Sequence, residues 1–142
     1  MKTAFRGERR QPMVIDTSAL VAILEHEPER RAFLNAIEAA DSRRMSIANY
    51  VEVSMVAERR RGAAGLSALD EFILSAGIEL MNVDIEQGRA ARAAFSLFGK
   101  GRHRAGLNYG DCFAYALAKM LGDPLLCKGD DFAHTDLALV VE

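Results

Sequence analysis

Hydrophobic and polar positions alternate between two periods along the chain. Met13 to Asp16 is a short apolar run ending on a carboxylate, which predicts a buried strand. Ser18 to Glu25 follows with a helical pattern capped by Thr17 or Ser18. "PERRAFLNAIEAAD" places Phe33, Ile37 and Ala40 at helical spacing, with Pro28 near its first turn. "RMSI" reads as a second strand. "NYVEVSMVAERRRG" and "GLSALDEFILSAG" read as helices ending at Gly62 and Gly77. "IELMNV" is a third strand, and "DIEQGRAARAAFSLF" a helix with Ile85, Gly88, Ala91, Phe95 and Phe98 on one side. The loop "GKGRHRAG" precedes "NYGDCFAYALAKMLG", apolar almost all round and hence a buried helix. "PLLC" is a strand, "KGDDF" a turn, and "LALVV" a last strand.

Strands alternating with helices predict an α/β fold: a central parallel sheet of four to five strands with helices on both faces. The 142 residues suit one domain, here 13–142, with 1–12 as a flexible N-terminal extension and Met13 as an alternative start. No stretch reaches the roughly 18–20 apolar residues of a membrane span. "MKTAFRGERRQP" lacks the apolar core of a secretory signal, so the expected location is cytoplasmic.

Half of the residues are hydrophobic and the net charge is −2, so nothing global advertises nucleic-acid binding. A polyanionic partner must meet a local patch. Arg59, Arg60 and Arg61 form one; Lys100, Arg102, His103 and Arg104 form another. Cys112 and Cys127 stand apart in apolar contexts and read as buried thiols. His26, His103 and His134 show no zinc-type spacing.

The candidate chemistry lies in the acids. Asp16 ends the first strand and Asp130 follows "PLLC", so both belong at the carboxyl edge where open α/β sheets bind ligands. Glu52 and Asp111 lie in the first turns of helices with Asn49 and Asn108 as the expected N-caps. Asn49-x-x-Glu52 and Asn108-x-x-Asp111 also have capping-box spacing, a purely structural reading of each acid taken singly. Four carboxylates gathered from distant segments would repel one another and resist ionisation. A divalent cation relieves that conflict, and an oxygen-only donor set selects a hard ion, Mg²⁺ or Mn²⁺. Such ions serve phosphodiester hydrolysis.

At these residues the chain resembles a known family. "VIDTSALVAIL", the Glu of "NYVEV", "LNYGDCFAYALAK" and "LLCKGDDF", in that order, are similar to a PIN domain of the VapC type. The resemblance implies a PIN-like fold and a Mg²⁺-dependent endoribonuclease acting as the toxin of a toxin–antitoxin pair. A small VapB-type antitoxin would cover its active site, and the toxin would pair as a homodimer. It also implies Asp16, Glu52 and Asp111 as catalytic acids, Asp16 and Asp111 as metal ligands, and Thr17 and Ser18 as support. The fourth acid falls within "KGDDF", on Asp130 or Asp131, with Asp130 favoured.

Other readings match less well. A haloacid-dehalogenase phosphatase needs an Asp where Ser18 stands, and a metal-dependent adhesion motif needs a Ser where Leu20 stands. The non-enzyme alternative is a PIN-like partner-binding module with little nuclease activity. Lys100, Arg102 and Arg104 are the expected RNA contacts. Val53, Met55, Val56, Leu66, Leu69, Phe72 and Ile73 are the expected association surface.

Overall fold

The computed structural model describes residues 10–140. Residues 1–9 of the expected extension lie outside the described residues. The elements run β1 (Met13–Ile15), α1 (Thr17–Leu24), α2 (Arg30–Ala39), β2 (Arg43–Ser46), α3 (Ile47–Ala76), β3 (Ile78–Met81), α4 (Ile85–Phe98), α5 (Tyr109–Leu121) and β4 (Leu125–Leu126). The four strands form one parallel sheet in the order β3-β2-β1-β4. Among the described residues of the expected last strand, Leu139 joins the sheet through a single parallel bridge to Leu125.

Pleat alternation sorts the core into two layers. Met13, Ile15 and Leu126 point to one face, where they pack with Leu20 and Ile23 of α1, Phe33 and Ile37 of α2, and Val53, Leu69 and Ile73 of α3. Val14 and Leu125 point to the other, against Ala91 and Ala94 of α4 and Ala114 to Ala118 of α5. Both faces of the sheet are therefore covered, as an all-parallel sheet requires.

Three sequence expectations need correction. Helix α1 begins at Thr17 with Asp16, rather than Thr17 or Ser18, as its N-cap. Helix α3 begins at Ile47 with Ser46 as its cap, which places Asn49 inside the first turn. Helix α4 buries Gln87, Ala91 and Ala94 and leaves Ile85 and Phe95 exposed. Small side chains let α4 approach the alanine-rich α5 closely, so its bulky residues end at the rim rather than on the buried stripe.

The expected association surface is largely core as well. Val53, Leu69 and Ile73 are buried, and Phe72 packs against them. Of that set Met55 is exposed as expected, and further apolar exposure lies outside it, at Leu74, Ile85, Leu97 and Tyr109. Among the described residues no helix is long and apolar enough to cross a membrane.

The two helices expected across Gly62 are joined there by a kink, where the glycine takes φ 62° and ψ −147°. That region is open essentially to glycine alone. Gly62→Ala should therefore destabilise the protein by about 1–3 kcal/mol, although its Cβ would meet nothing within 4 Å. Gly88→Ala, at an uncrowded position within α4, should instead stabilise by about 0.5–1 kcal/mol. Urea unfolding of both variants checks the opposite signs.

Candidate active site

The sheet order makes a switch point. From β1 the chain steps outward to β2 and β3, then returns to place β4 on the other side of β1. Loops leaving β1 and β4 part in opposite directions at their carboxyl ends, and the crevice between them is where such sheets bind ligands. Asp16 leaves β1 there, its N–H donating to the Leu126 carbonyl at 3.0 Å. The "KGDDF" turn leaves β4 at the same edge.

Asp16 is 3% exposed. Its Oδ2 accepts from the Ser18 N–H at 3.0 Å and the Ser18 hydroxyl at 2.6 Å. The Ser18 hydroxyl accepts in turn from the Lys128 N–H at 2.9 Å, so one serine ties the first acid to the turn after β4. The Lys128 ammonium is held by Glu27 at 2.7 Å and Glu29 at 3.5 Å. Asp16 Oδ1 is buried with no hydrogen-bond partner. A buried orphan oxygen on a carboxylate marks a place for a positive charge.

Glu52 reaches the same place from the second turn of α3. Its Oε1 accepts from the Thr17 hydroxyl at 2.6 Å and from the Asn49 carboxamide at 3.3 Å. Asn49 therefore does not cap α3: its side chain is fully buried and also donates to the Gly110 carbonyl at 3.0 Å. Across that contact, a Cβ on residue 110 would overlap the Glu52 carboxylate. Any larger residue there would have to displace that carboxylate.

Asp111, by contrast, does make the expected capping box. Its N–H donates to Asn108 Oδ1 at 2.8 Å, and its Oδ2 accepts from the Asn108 N–H at 3.0 Å. The cap engages Oδ2 and leaves Oδ1 outside it. Capping and a functional role are thus compatible at one residue.

The electrostatics follow from this crowding. Burial, with the Glu52 charge adding to it, raises the Asp16 pKa against the hydrogen bonds from Ser18 and Thr17 that favour the anion. Burial likewise pushes Asp111 up to about 7, and the charges of Asp16, Glu52 and Asp131 add to it. In the "KGDDF" turn it is Asp131, rather than Asp130, whose charge bears on Asp111. Asp131 opens a short 3-10 turn, Asp131–His134, anchored by the buried Phe132.

The donor set is all oxygen, and the orphan Asp16 Oδ1 fits a hard divalent cation. Among the described residues no three acidic, histidine or cysteine side chains are closed into ligand geometry. Glu52 is instead bonded to Thr17 of α1 and to Asn49 of its own helix, and Asp111 to its Asn108 cap.

The basic residues divide. Arg60 and Arg61 pair with Glu25 at 3.6 and 3.1 Å. Lys100, Arg102 and Arg104 are exposed in the loop before α5, with the Arg102 guanidinium 5.4 Å from the centre of the Phe95 ring. His103 is structural, its Nδ1 accepting from the Ala105 N–H and its ring meeting Phe98 edge-on. Cys112 is buried, and burial raises its thiol pKa; Cys127 is only half buried. Sequence reading missed the bridging of Asn49, which acts across 61 residues, and the closeness of Gly110 to Glu52, which is also remote in sequence. The one legible hint was Ser46, a good cap three residues before Asn49.

Comparison with known proteins agrees with this architecture. The PIN domain family model matches residues 13–137. Ribonuclease VapC30 of Mycobacterium tuberculosis is 56% identical over 128 residues, covering 90% of this chain and 98% of that protein. A ribonuclease VapC of Mycolicibacterium smegmatis is 53% identical, with 90% and 99% covered. In fold, the chain is similar to Mycobacterium tuberculosis VapC20, described as a sarcin-ricin loop cleaving toxin, at TM-score 0.75 and 16% identity over 92% of this chain and 99% of that one. It is also similar to VapBC2 from Rickettsia felis bound to a promoter DNA fragment, at TM-score 0.71 and 12% identity over 91% and 97%. The acids at the switch point and these likenesses converge: the chain belongs to the PIN-domain family, among its VapC ribonucleases.

Proposed function

We propose that this protein is a metal-dependent endoribonuclease that acts as the toxin of a toxin–antitoxin pair. One observation carries the reading: Asp16, Glu52, Asp111 and Asp131 are drawn to one sheet edge, with no cation from the described residues among them. Asp16, Asp111 and Glu52 would hold Mg²⁺ or Mn²⁺, with Asp131 as the fourth acid in preference to Asp130. The ion supplies Lewis acidity toward a phosphodiester oxygen and offsets charge developing on the leaving group. The chain's own part is orientation. Ser18 holds Asp16 by Oδ2 and leaves Oδ1 unbonded, Thr17 anchors Glu52, and the Asn108 cap holds the Asp111 backbone at the helix start. The dipole of α5 favours anionic ligands and side chains at this end.

The intact acid set, with burial raising the pKa of Asp16 and of Asp111, favours an enzyme over a partner-binding module. Similar folds occur in a toxin–antitoxin complex from Klebsiella pneumoniae and in DNA-bound VapBC from Salmonella typhimurium. A VapB-type antitoxin and a second copy of the chain are accordingly the proposed partners, meeting exposed apolar residues such as Leu74, Ile85 and Leu97. A basic antitoxin side chain would offset the same repulsion as the metal. Cytoplasmic location belongs to this reading too.

Asp111→Asn should abolish RNA cleavage while leaving the fold intact. The sign of its stability effect depends on pH. Asp111 binds its proton more tightly when folded, at about 7 against a reference of 3.8, so its ionisation weakens the fold as pH rises through that interval. The metal-free wild type should melt lower at pH 8 than at pH 5, and Asp111→Asn should gain most at pH 8. Mg²⁺ or Mn²⁺ should restore wild-type stability at pH 8, and a chelator should remove both that gain and the cleavage. Cleavage by Asp111→Asn at the wild-type rate would sink the assignment.

Neutralising Lys100, Arg102 and Arg104 together should weaken RNA binding and flatten its salt dependence. The slope should fall by about 0.7 for each single-strand phosphate that is no longer neutralised. Binding isotherms at several salt concentrations measure it, with an unchanged slope assigning the three to a solvated loop. Light scattering across dilution tests association: Leu97→Asp should shift the protein toward monomer if that face pairs.

A further inference from the structure

We propose that Asn49 is a positioning residue of the nuclease site, a carboxamide tie that holds the Glu52 carboxylate and the start of the Asp111 helix in register. The inference rests on the ribonuclease reading above. Asn49 stands where three acid-bearing segments meet. Its Nδ2 donates to the Gly110 carbonyl at 3.0 Å, one residue before Asp111, and to Glu52 Oε1 at 3.3 Å. Its backbone carbonyl lies 3.4 Å from the hydroxyl of Thr17, the residue after Asp16. One fully buried residue thus touches the immediate surroundings of every acid in the deep part of the site.

The chemistry of the partners dictates the residue type. Gly110 O and Glu52 Oε1 are both acceptors, so the group between them must donate twice, which a primary amide does and a carboxylate cannot. Reversing the amide would set Oδ1 against two oxygens, so the neighbours assign its orientation. Aspartate would keep the shape but bring a further charge into the cluster. Serine keeps one donor and is too short to span both. Asn49 Oδ1 meanwhile is buried with no hydrogen-bond partner. An alanine would spare that cost, so a residue retained only for packing gains nothing from the amide. Gly110 completes the arrangement, because any Cβ there would push the Glu52 carboxylate off its bonds to Thr17 and Asn49.

The test compares wild type with Asn49→Ala, Asn49→Asp and Asn49→Ser, using three measurements. Melting without metal reads folding, Mn²⁺ titration followed by electron paramagnetic resonance reads metal affinity directly, and steady-state cleavage separates kcat from KM. Positioning partners of metal-site ligands typically cost 10–100-fold when removed. The folded variants should lose about that much in Mn²⁺ affinity or in kcat, with KM for RNA nearly unchanged and Asn49→Asp worst. Adding Asn49→Ala to Glu52→Gln should cost less than the two single losses combined, since the tie acts in part through that carboxylate. Folded variants with wild-type kcat and Mn²⁺ affinity would overturn the proposal. So would losses that simply follow melting temperature, or failure of all three variants to fold, either of which leaves Asn49 as core alone. A wild type that neither takes up Mn²⁺ nor cuts RNA would instead overturn the ribonuclease reading itself.

Discussion

Everything at the active edge depends on keeping one carboxylate, Asp16, in the interior next to others of its own sign. Burying an anion is costly unless hydrogen bonds or a counter-charge compensate it. Here the compensation is partial. Oδ2 receives two bonds from Ser18, while Oδ1 receives none. The rest of the molecule has to hold that incomplete arrangement in place. It does so with covalent neighbours already committed elsewhere: Ile15 is buried in the sheet on one side of Asp16, and Ala19 and Leu20 are buried in α1 on the other. The acid cannot relax outward without extracting core.

A parallel sheet is what makes the cluster possible at all. Each strand delivers the chain to the same edge, and each following helix begins there with its unsatisfied N–H groups and positive dipole end. Asp16 caps α1, Asp111 caps α5 through its box with Asn108, and Glu52 lies within the early turns of α3. Helix capping is thus part of the site's electrostatics, because each cap lends positive potential to an acid that its neighbours discourage from ionising. Against that help, burial and the neighbouring acids still push Asp111 up to about 7.

Much of this was legible in the sequence, for physical reasons that vary by element. Strands β1 and β4 and helix α5 are nearly all apolar, so their burial and order follow from pattern alone, and with them the edge on which Asp16 and Asp111 lie. The kink at Gly62 was visible as a helix stop because glycine punctuates a helical period. The faces of α4 were misread because close packing on alanines, not side-chain size, decides which stripe is buried. Asn49 was misread because its spacing to Glu52 imitates a local cap while its actual partner, Gly110, is remote in sequence. Asp131, whose charge bears on Asp111, opens a 3-10 turn that spacing alone does not reveal.

The same logic explains why the acids at the site are bonded to neutral donors rather than to one another. Carboxylates cannot bond to one another while ionised, so each takes other partners: Ser18 for Asp16, Thr17 of α1 and Asn49 for Glu52, the Asn108 N–H for Asp111. Each of these acids is thus anchored beside the crevice, with Asp16 Oδ1 left buried and without a partner. Anchoring limits how far they can retreat from one another, which sustains the repulsion between them. A phosphodiester carries the wrong sign to enter such a space unaided. In the proposed nuclease the basic loop before α5 would draw the polyanion to the edge, and a positive charge among the acids would admit it to the site.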